Sequence, residues 1–413
     1  MNTKYISSLH VKGFRLFETL NVRFNPRFNF IIGSNGCGKT SILRAIVISY
    51  SQYLLEDSRL QSNFEAWIDF IENDKKNRIG VLPSNYANIR NDYRSSQSIP
   101  ADKPPTDEGC ESYYNYEAEK LKFAPLVLGA FRKIDYRRIE GMRREENLTE
   151  SIRKYIQNAP SSLNGGYLPD IKQWMINRYF QIEKEWAYIE KSNWDWLIKN
   201  IDTLAPKDSK FRFIKIEKDL EPVFTINDKE CYLEELSTGF QSILSMVLAI
   251  FEWIEATNEK DDKLVKNAAG TVIIDELDVH LHPEWQLILR DSLEVMFPKL
   301  QFIVTTHSPH LIASAKEGEI IVVPEKNTNL DLYPRKDKYS GWNTDQILSE
   351  LMGVKSLDNK EYFRMVEKGM EYINEANIEG LSHIIDKLEE IAHPSDTIIS
   401  VLKIKQASLS LKD

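Results

Sequence analysis

The chain has 413 residues, 42% of them hydrophobic and 28% charged, with a net charge of −9. That length holds two or three domains and buries a sizeable core, while the acidic balance excludes a globally basic nucleic-acid binder and leaves only local patches for such a partner. Cys37, Cys110 and Cys231, odd in number and widely spaced, supply neither a disulfide framework nor a metal cluster, and with no signal-peptide core at the start and no apolar run of about 18 residues the expectation is a cytosolic protein without membrane contact.

Two short strands are expected at Ile6 to Val11 and Leu20 to Phe24, then a third ending at Ile32. GSNGCGKT, Gly33 to Thr40, follows at once, and an apolar helix starts behind it. A phosphate pocket needs these parts in this order. Glycines let backbone N–H groups turn inward around phosphate oxygens, Lys39 neutralises the outer phosphates, and the Thr40 hydroxyl suits Mg²⁺. Taken alone, such a loop could also be a tight strand-to-helix connection.

From about 51 to 210 the pattern turns to helices rich in aromatics and charge, broken by polar loops at 96–109 and 158–169. Trp174, Tyr179, Trp186, Tyr188, Trp194 and Trp196 fall on one or two helices, where core packing outweighs a base-stacking platform. Residues 130–147 gather Arg132, Lys133, Arg137, Arg138, Arg143 and Arg144 around Phe131 and Tyr136. That run reads as a nucleic-acid footprint, as a solvated face balanced by Asp135, Glu140, Glu145 and Glu146, or as an arginine aimed at the nucleotide.

Strands return from about 211 to 335. LSTGFQSIL, Leu236 to Leu244, sets Ser237 and Gly239 at a helix start, a second anion-facing helix end. One chain with one phosphate loop has no use for it unless it serves another molecule's nucleotide. In GTVIIDELDVHLHP, 270 to 283, an apolar strand ends in Asp275 and Glu276, one carboxylate for a Mg²⁺ shell and one to orient or deprotonate an attacking water. His280, His282, His307 and His310 fall within 31 residues. Zinc is geometrically open to them, but no cysteine joins them and phosphate chemistry explains His307 better. Residues 340 to 413 read as helical and polar.

Together, GSNGCGKT, LSTGFQS, TVIIDELD and TTHSPH, in that order with a long insertion after the first, resemble the ABC-type ATPase heads of the SMC, RecF and OLD-like class, the AAA-family ATPases of the AAA_15/AAA_21 type. The resemblance implies an α/β fold: a P-loop NTPase head, a mixed β sheet flanked by helices, split by a helical insertion and followed by a helical C-terminal tail. On that scheme residues 1–50 are the first lobe of the head, 51–210 a mainly helical insertion, 211–335 the second lobe, and 336–413 a tail that docks a partner. The resemblance also implies a head-to-head homodimer around two ATP molecules, each held between the loop of one copy and the signature helix of the other.

Carried across residue by residue, Gly33, Ser34, Asn35, Gly36, Cys37, Gly38, Lys39, Thr40 and Ser41 cradle the phosphates, with Arg15 of VKGFRLF close by. Thr40 and Asp275 hold Mg²⁺, Glu276 is the catalytic base, and Lys39 and His307 complete the catalytic set. Ser237 and Gly239 reach the γ-phosphate in trans, and Asp278 sits at the subunit boundary. The signature departs from LSGGQ in that Thr238 replaces a glycine, Phe240 follows, and Gln241 comes one place late. No glutamine loop is identified; Gln157, Gln173 and Gln181 are the candidates.

GWNTDQILSELMGV, 341 to 354, resembles the ATPases of bacterial anti-phage systems, of the PtuA type in Septu and in retrons, which pair with an HNH nuclease. This implies a dimer or higher assembly acting through a separate nuclease subunit, with DNA, or retron RNA and DNA with a reverse transcriptase, as further partners. The alternatives are a repair or chromosome-associated ATPase that clamps DNA directly on binding ATP, and a scaffold that binds nucleotide without turnover.

Overall fold

Runs in which every residue is apolar make strands buried on both faces, and runs that alternate make strands with one covered face. Both kinds occur here. The computed structural model describes residues 3–54, 60–83, 101–325, 328–353, 360–375, 377–392 and 397–410. Strands β1 (Lys4–Phe14), β2 (Phe17–Arg23) and β3 (Phe28–Ile32) lead into helix α1 (Lys39–Tyr50). Then come β4 (Leu60–Glu72), β5 (Lys75–Pro83), β6 (Ala101–Asp102), β7 (Cys110–Tyr114) and β8 (Leu126–Leu128). Helices α2 (Leu148–Leu163), α3 (Ile171–Gln181) and α4 (Tyr188–Asn200) precede β9 (Arg212–Ile216), β10 (Pro222–Ile226), β11 (Lys229–Tyr232) and the long helix α5 (Thr238–Thr257). Next are β12 (Gly270–Ile274), α6 (Pro283–Met296), β13 (Leu300–Thr305), α7 (Pro309–Ser314), β14 (Ile320–Val322), β15 (Asn329–Leu332) and the single turn α8 (Thr344–Gln346).

The described strands make three sheets. A five-stranded sheet runs β14-β3-β13-β12-β8, and all its pairings are parallel. Every residue of β3, β12, β13 and β8 is buried, as expected for strands covered on both faces. Ile274 stands opposite Val304 on one side and Leu128 on the other, and Val304 stands opposite Phe30. Because these strands point the same way, the residues that follow Ile32, Leu128, Ile274 and Thr305 emerge along one edge, the usual place for ligands on open parallel sheets. A seven-stranded sheet runs β15-β2-β1-β4-β5-β6 with β7 beside β5, and β9 to β11 form a small antiparallel meander.

The segment 51–210, expected to be mainly helical, is corrected by β4 to β8. Phe64, Ala66, Ile68 and Phe70 of β4 are buried at period two, the signature of a strand. Phe70 packs on Phe123, whose ring meets Tyr50 at the end of α1. The helical part starts only at α2. Its aromatics divide: Trp174 and Trp194 are core residues that pack with each other and with Phe251 and Phe213, while Trp186 and Tyr188 are exposed. α5 is long and apolar enough to cross a membrane, yet 89% of its most apolar window is buried inside the protein.

The chain divides into two compact units, Met1–Ile347 and Leu348–Asp413. The boundary therefore falls later than 335/336, because β15 pairs with β2 and Arg335 bridges to Ile320. The second unit contains α9 (Lys360–Asn374), α10 (Ile378–Ile391) and α11 (Thr397–Ser410) around Val366, Leu381, Ile384, Ile385, Leu388 and Leu402. Its helix α10 is capped by Asn377, whose side chain accepts from the Gly380 N–H at 2.9 Å. Of the motif at 341–354, Val354 lies outside the described residues.

Candidate functional site

The loop after β3 delivers α1 with an open N-terminus. Its cap residue Gly38 makes no side-chain bond and sits at φ 106°, a backbone conformation that suits glycine. A Cβ there would stand 2.6 Å from the Phe17 ring, so the loop is wedged against β2 as well. Lys39 is buried and its Nζ donates to the carbonyls of Gly33 and Ser34 at 2.9 Å each. Burial holds this ammonium below its ordinary range, offset in part by Cys37, Asp275 and Glu276. Asn35 and Gly36 are exposed at the tip, Ser34 and Thr40 are half-buried, and Cys37 and Ser41 are buried. Arg15 is exposed and donates to Ser41 Oγ at 3.3 Å.

The next two strands supply the other half of this edge. The Thr40 hydroxyl donates to the Asp275 carboxylate at 3.0 and 3.2 Å, across 235 residues of sequence. Thr305, at the end of β13, donates its hydroxyl to Asp275 at 2.5 Å and accepts the Glu276 N–H at 2.7 Å. Thr40 and Asp275 thus form an all-oxygen donor pair of the hard type that Mg²⁺ takes, and the residues present fit that ion. Glu276 has φ 51°, a left-handed conformation that is strained for a glutamate. Its backbone is held there by partners on both sides.

Asp278 is half-buried, and its carboxylate accepts from Thr306 Oγ1 at 2.6 Å and from the His307 N–H at 3.2 Å. The loop after β12 is thereby tied to the loop after β13. Burial and the nearby Lys39 charge hold the half-buried His307 below its ordinary pKa. His280 and His282 are exposed, and among the described residues no three His, Cys, Asp or Glu side chains gather at metal distance.

α5 starts differently. Ser237, its cap residue, is exposed and makes no side-chain cap bond, and Thr238 is exposed beside it. Gly239 is buried, and a Cβ there would lie 3.0 Å from the His280 carbonyl and 3.1 Å from the Trp285 ring. Phe240 fills the space between Phe211 and Trp285 with ring centroids at 4.8 and 4.3 Å, which explains an aromatic where transporters carry a polar residue. Gln241 is buried, donating to Glu234 and Leu236 carbonyls and accepting from the Ile134 N–H at 3.3 Å.

The glutamine candidates lie elsewhere: Gln157 donates to Tyr53, Gln173 to Gly141 and Asn177, and Gln181 joins Arg178 and Glu145. The basic run 130–147 is no uniform patch. Lys133 pairs with Asp135 and Arg137 with Asp170. Arg132 is 2% exposed and points inward to the carbonyls of Asp275 and Glu276, a role that sequence reasoning missed. The signal that could have found it is its place directly after an apolar run, Leu126 to Leu128, which the sheet sets beside β12.

Residues 28–313 match the AAA_21 family model, described as AAA domain, putative AbiEii toxin, Type IV TA system. The chain is 26% identical over 411 residues to the Septu protein PtuA of Bacillus thuringiensis, covering 97% of this chain and 98% of that one. It is 28% identical over 144 residues to the retron Vc95 probable ATPase of Vibrio cholerae, covering 34% of this chain and 28% of that relative. Among solved structures, the Smc head domain from Pyrococcus furiosus, bound in its crystal to a domain of ScpA, aligns at a TM-score of 0.48 and 17% identity, covering 80% of this chain and 96% of that one.

Proposed function

This chain belongs to the AAA_21 family and is an ATPase, and from that premise we propose that two copies close on two ATP molecules and that the closed pair controls a separate HNH-type nuclease in an anti-phage defence complex. One observation carries the site: the Thr40 hydroxyl of the glycine loop lies 3.0 Å from the Asp275 carboxylate at the neighbouring strand end, next to Glu276 and near His307. Support for a shared site comes from α5, whose start is exposed and unused by its own chain's capping groups. Support for the defence setting comes from the similarity to a Septu protein along 97% of the chain. The protein works in the cytoplasm, in keeping with Cys37, Cys110 and Cys231 all being free thiols.

On this reading the N–H groups of the loop and of the α1 start, with Lys39, bind the triphosphate, and Arg15 stands near it. Thr40 and Asp275 would hold Mg²⁺, which when bound would supply positive charge to the phosphate oxygens. Glu276 orients the attacking water and takes its proton, and His307 donates a hydrogen bond to the γ-phosphate. Ser237 and Gly239 of the second copy close the site from the other side, and Asp278 fixes the loop that carries His307.

The test is Glu276→Gln. ATP binding stays, turnover falls by about 10²–10⁴-fold, and ATP-bound dimers accumulate on sizing with light scattering. Undiminished turnover would remove Glu276 as the base. A variant that stays monomeric at saturating ATP would remove the shared site. Co-expression with the neighbouring reading frames then tests the partner: a nuclease that copurifies supports the defence reading, whereas ATP-dependent retention of DNA by the pair alone would favour direct clamping.

A further inference from the structure

Arg132 is a long cation buried in the α/β core with no carboxylate in contact among the described residues, and its side chain bonds three carbonyls at the functional edge and one hydroxyl of α5. Nη1 donates to the Gly129 carbonyl at 2.7 Å and to the Asp275 carbonyl at 3.0 Å, Nη2 donates to the Glu276 carbonyl at 2.8 Å, and Nε donates to Ser242 Oγ at 3.1 Å. Its own carbonyl accepts from Ser245 Oγ at 3.1 Å. Ser242 and Ser245 stand on the first turns of α5, and Gln241 between them and the helix start bonds the Ile134 backbone. A single strand-end segment, 129–134, is therefore stitched on one side to the helix that begins at Ser237 and on the other to the two peptides that present the acids.

A simple core cation does not explain this pattern. Buried arginines elsewhere in the chain pair with carboxylates: Arg290 with Glu319 and Glu294, Arg178 with Glu255. Arg132 instead spends its guanidinium on main-chain oxygens, and one of these belongs to the residue whose backbone is strained at φ 51°. Such a conformation persists only where neighbours over-determine it. Thr305 holds the N–H of Glu276, and its carbonyl accepts from Arg132 at 2.8 Å and, more weakly, from the Val279 N–H at 3.2 Å, so that Arg132 is its shorter tie and the only one that reaches α5.

We propose that Arg132 is a positioning residue that locks the Glu276 peptide in its left-handed conformation and ties it to the signature helix, so that the aim of the Glu276 carboxylate follows the position of α5. The proposal rests on the reading of Glu276 as general base. It gives ATP-driven pairing a route to chemistry: the helix whose start meets the second copy's nucleotide is, through one guanidinium, a mounting point for the base of its own site. It also removes Arg132 from any nucleic-acid footprint.

The experiment compares Arg132→Lys, Ser242→Ala and the double variant with Glu276→Gln, all in the full chain, reading fluorescent-ATP affinity and steady-state ATPase rate separately. Lysine keeps the charge but cannot serve the three carbonyls and Ser242 with a planar fork. Arg132→Lys lowers kcat by about 10–100-fold with ATP affinity kept, and Ser242→Ala lowers kcat by about fivefold. The double variant is no slower than Arg132→Lys alone, because both changes cut one link. Should Arg132→Lys fail to fold, Ser242→Ala, which deletes a single hydroxyl, still decides the matter. Wild-type kcat in Ser242→Ala, additive losses in the double variant, or a loss of affinity without loss of kcat overturns the proposal. Loss of turnover in Glu276→Gln with normal turnover in Arg132→Lys defeats this proposal alone, whereas normal turnover in Glu276→Gln defeats the base assignment beneath it.

Discussion

The start of α1 and the start of α5 are both open helix ends, and they are built in opposite ways. At α1 the cap is a left-handed glycine pressed on Phe17, the lysine is buried, and the threonine already touches Asp275 on a strand 235 residues away. At α5 the cap serine and the threonine after it are exposed, and what is fixed lies behind them: Gly239 against His280, Phe240 between two rings, Gln241 and Ser242 bonded to the Arg132 segment. The first end is finished within one chain. The second is packed at its base and exposed at its tip, the arrangement that the proposed shared site calls for.

Substitutions at the two ends sharpen or break this contrast. The largest effect is expected at Gly38→Ala, where left-handed strain of about 1–3 kcal/mol and a collision with the Phe17 ring weaken ATP binding by about 100-fold or more. Wild-type affinity in a fluorescent-ATP titration would show that this end is not preset. At α5, Ser237→Ala deletes no cap bond, so thermal stability stays within about 0.5 kcal/mol, while turnover falls about tenfold through loss of the proposed charge-assisted contact with the second copy's phosphate. A drop in melting temperature with unaltered turnover would reverse that assignment.

A third variant reaches the body of α5. Burial pushes the Glu252 carboxyl up to about 8, and one of its oxygens has no hydrogen-bond partner among the described residues. Between its ordinary value and 8 the folded chain then holds a proton that the unfolded chain has released, so stability falls as pH rises through that window. Glu252→Gln removes that slope and gains about 1–2 kcal/mol at pH 8, read from melts at pH 5 and pH 8; an unchanged slope would place the titration elsewhere. The smallest effect belongs to a cap that is fully used: Asn377→Ala in the second unit removes the bond to Gly380 and costs about 1 kcal/mol in denaturant unfolding. A neutral result there, beside a destabilised Ser237→Ala, would invert the difference between occupied and vacant caps.

What could be read in advance follows the same division. Gly33 to Ser41, Asp275 and Glu276 were legible because phosphate loops and carboxylate-tipped strands are made of adjacent residues whose types the backbone chemistry dictates. The gathering of Thr40, Asp275, Glu276 and His307 at one sheet edge followed from that. β4 was misread although Phe64, Ala66, Ile68 and Phe70 alternate, because Trp67 and the charges between them gave the stretch the look of an amphipathic helix. Arg132 was hidden for a different reason: its partners are main-chain carbonyls far along the chain, and main-chain partners leave no mark in side-chain patterns. Phe240 looked like a flawed signature until Trp285 and Phe211 were seen around it.

The place of β3 has a bearing on how the chain is made. This strand lies between β13 and β14, pairing with Phe302 to Thr305 on one side and with Ile320 to Val322 on the other. The glycine loop leaves the ribosome well before the two strands that flank β3, which begin at Leu300 and Ile320. Until then β3 lacks both of its sheet neighbours, and so does a product cut short before β13. The mounting of the loop is in this sense a property of distant parts: β3 has both neighbours only in a polypeptide whose translation has passed residue 322.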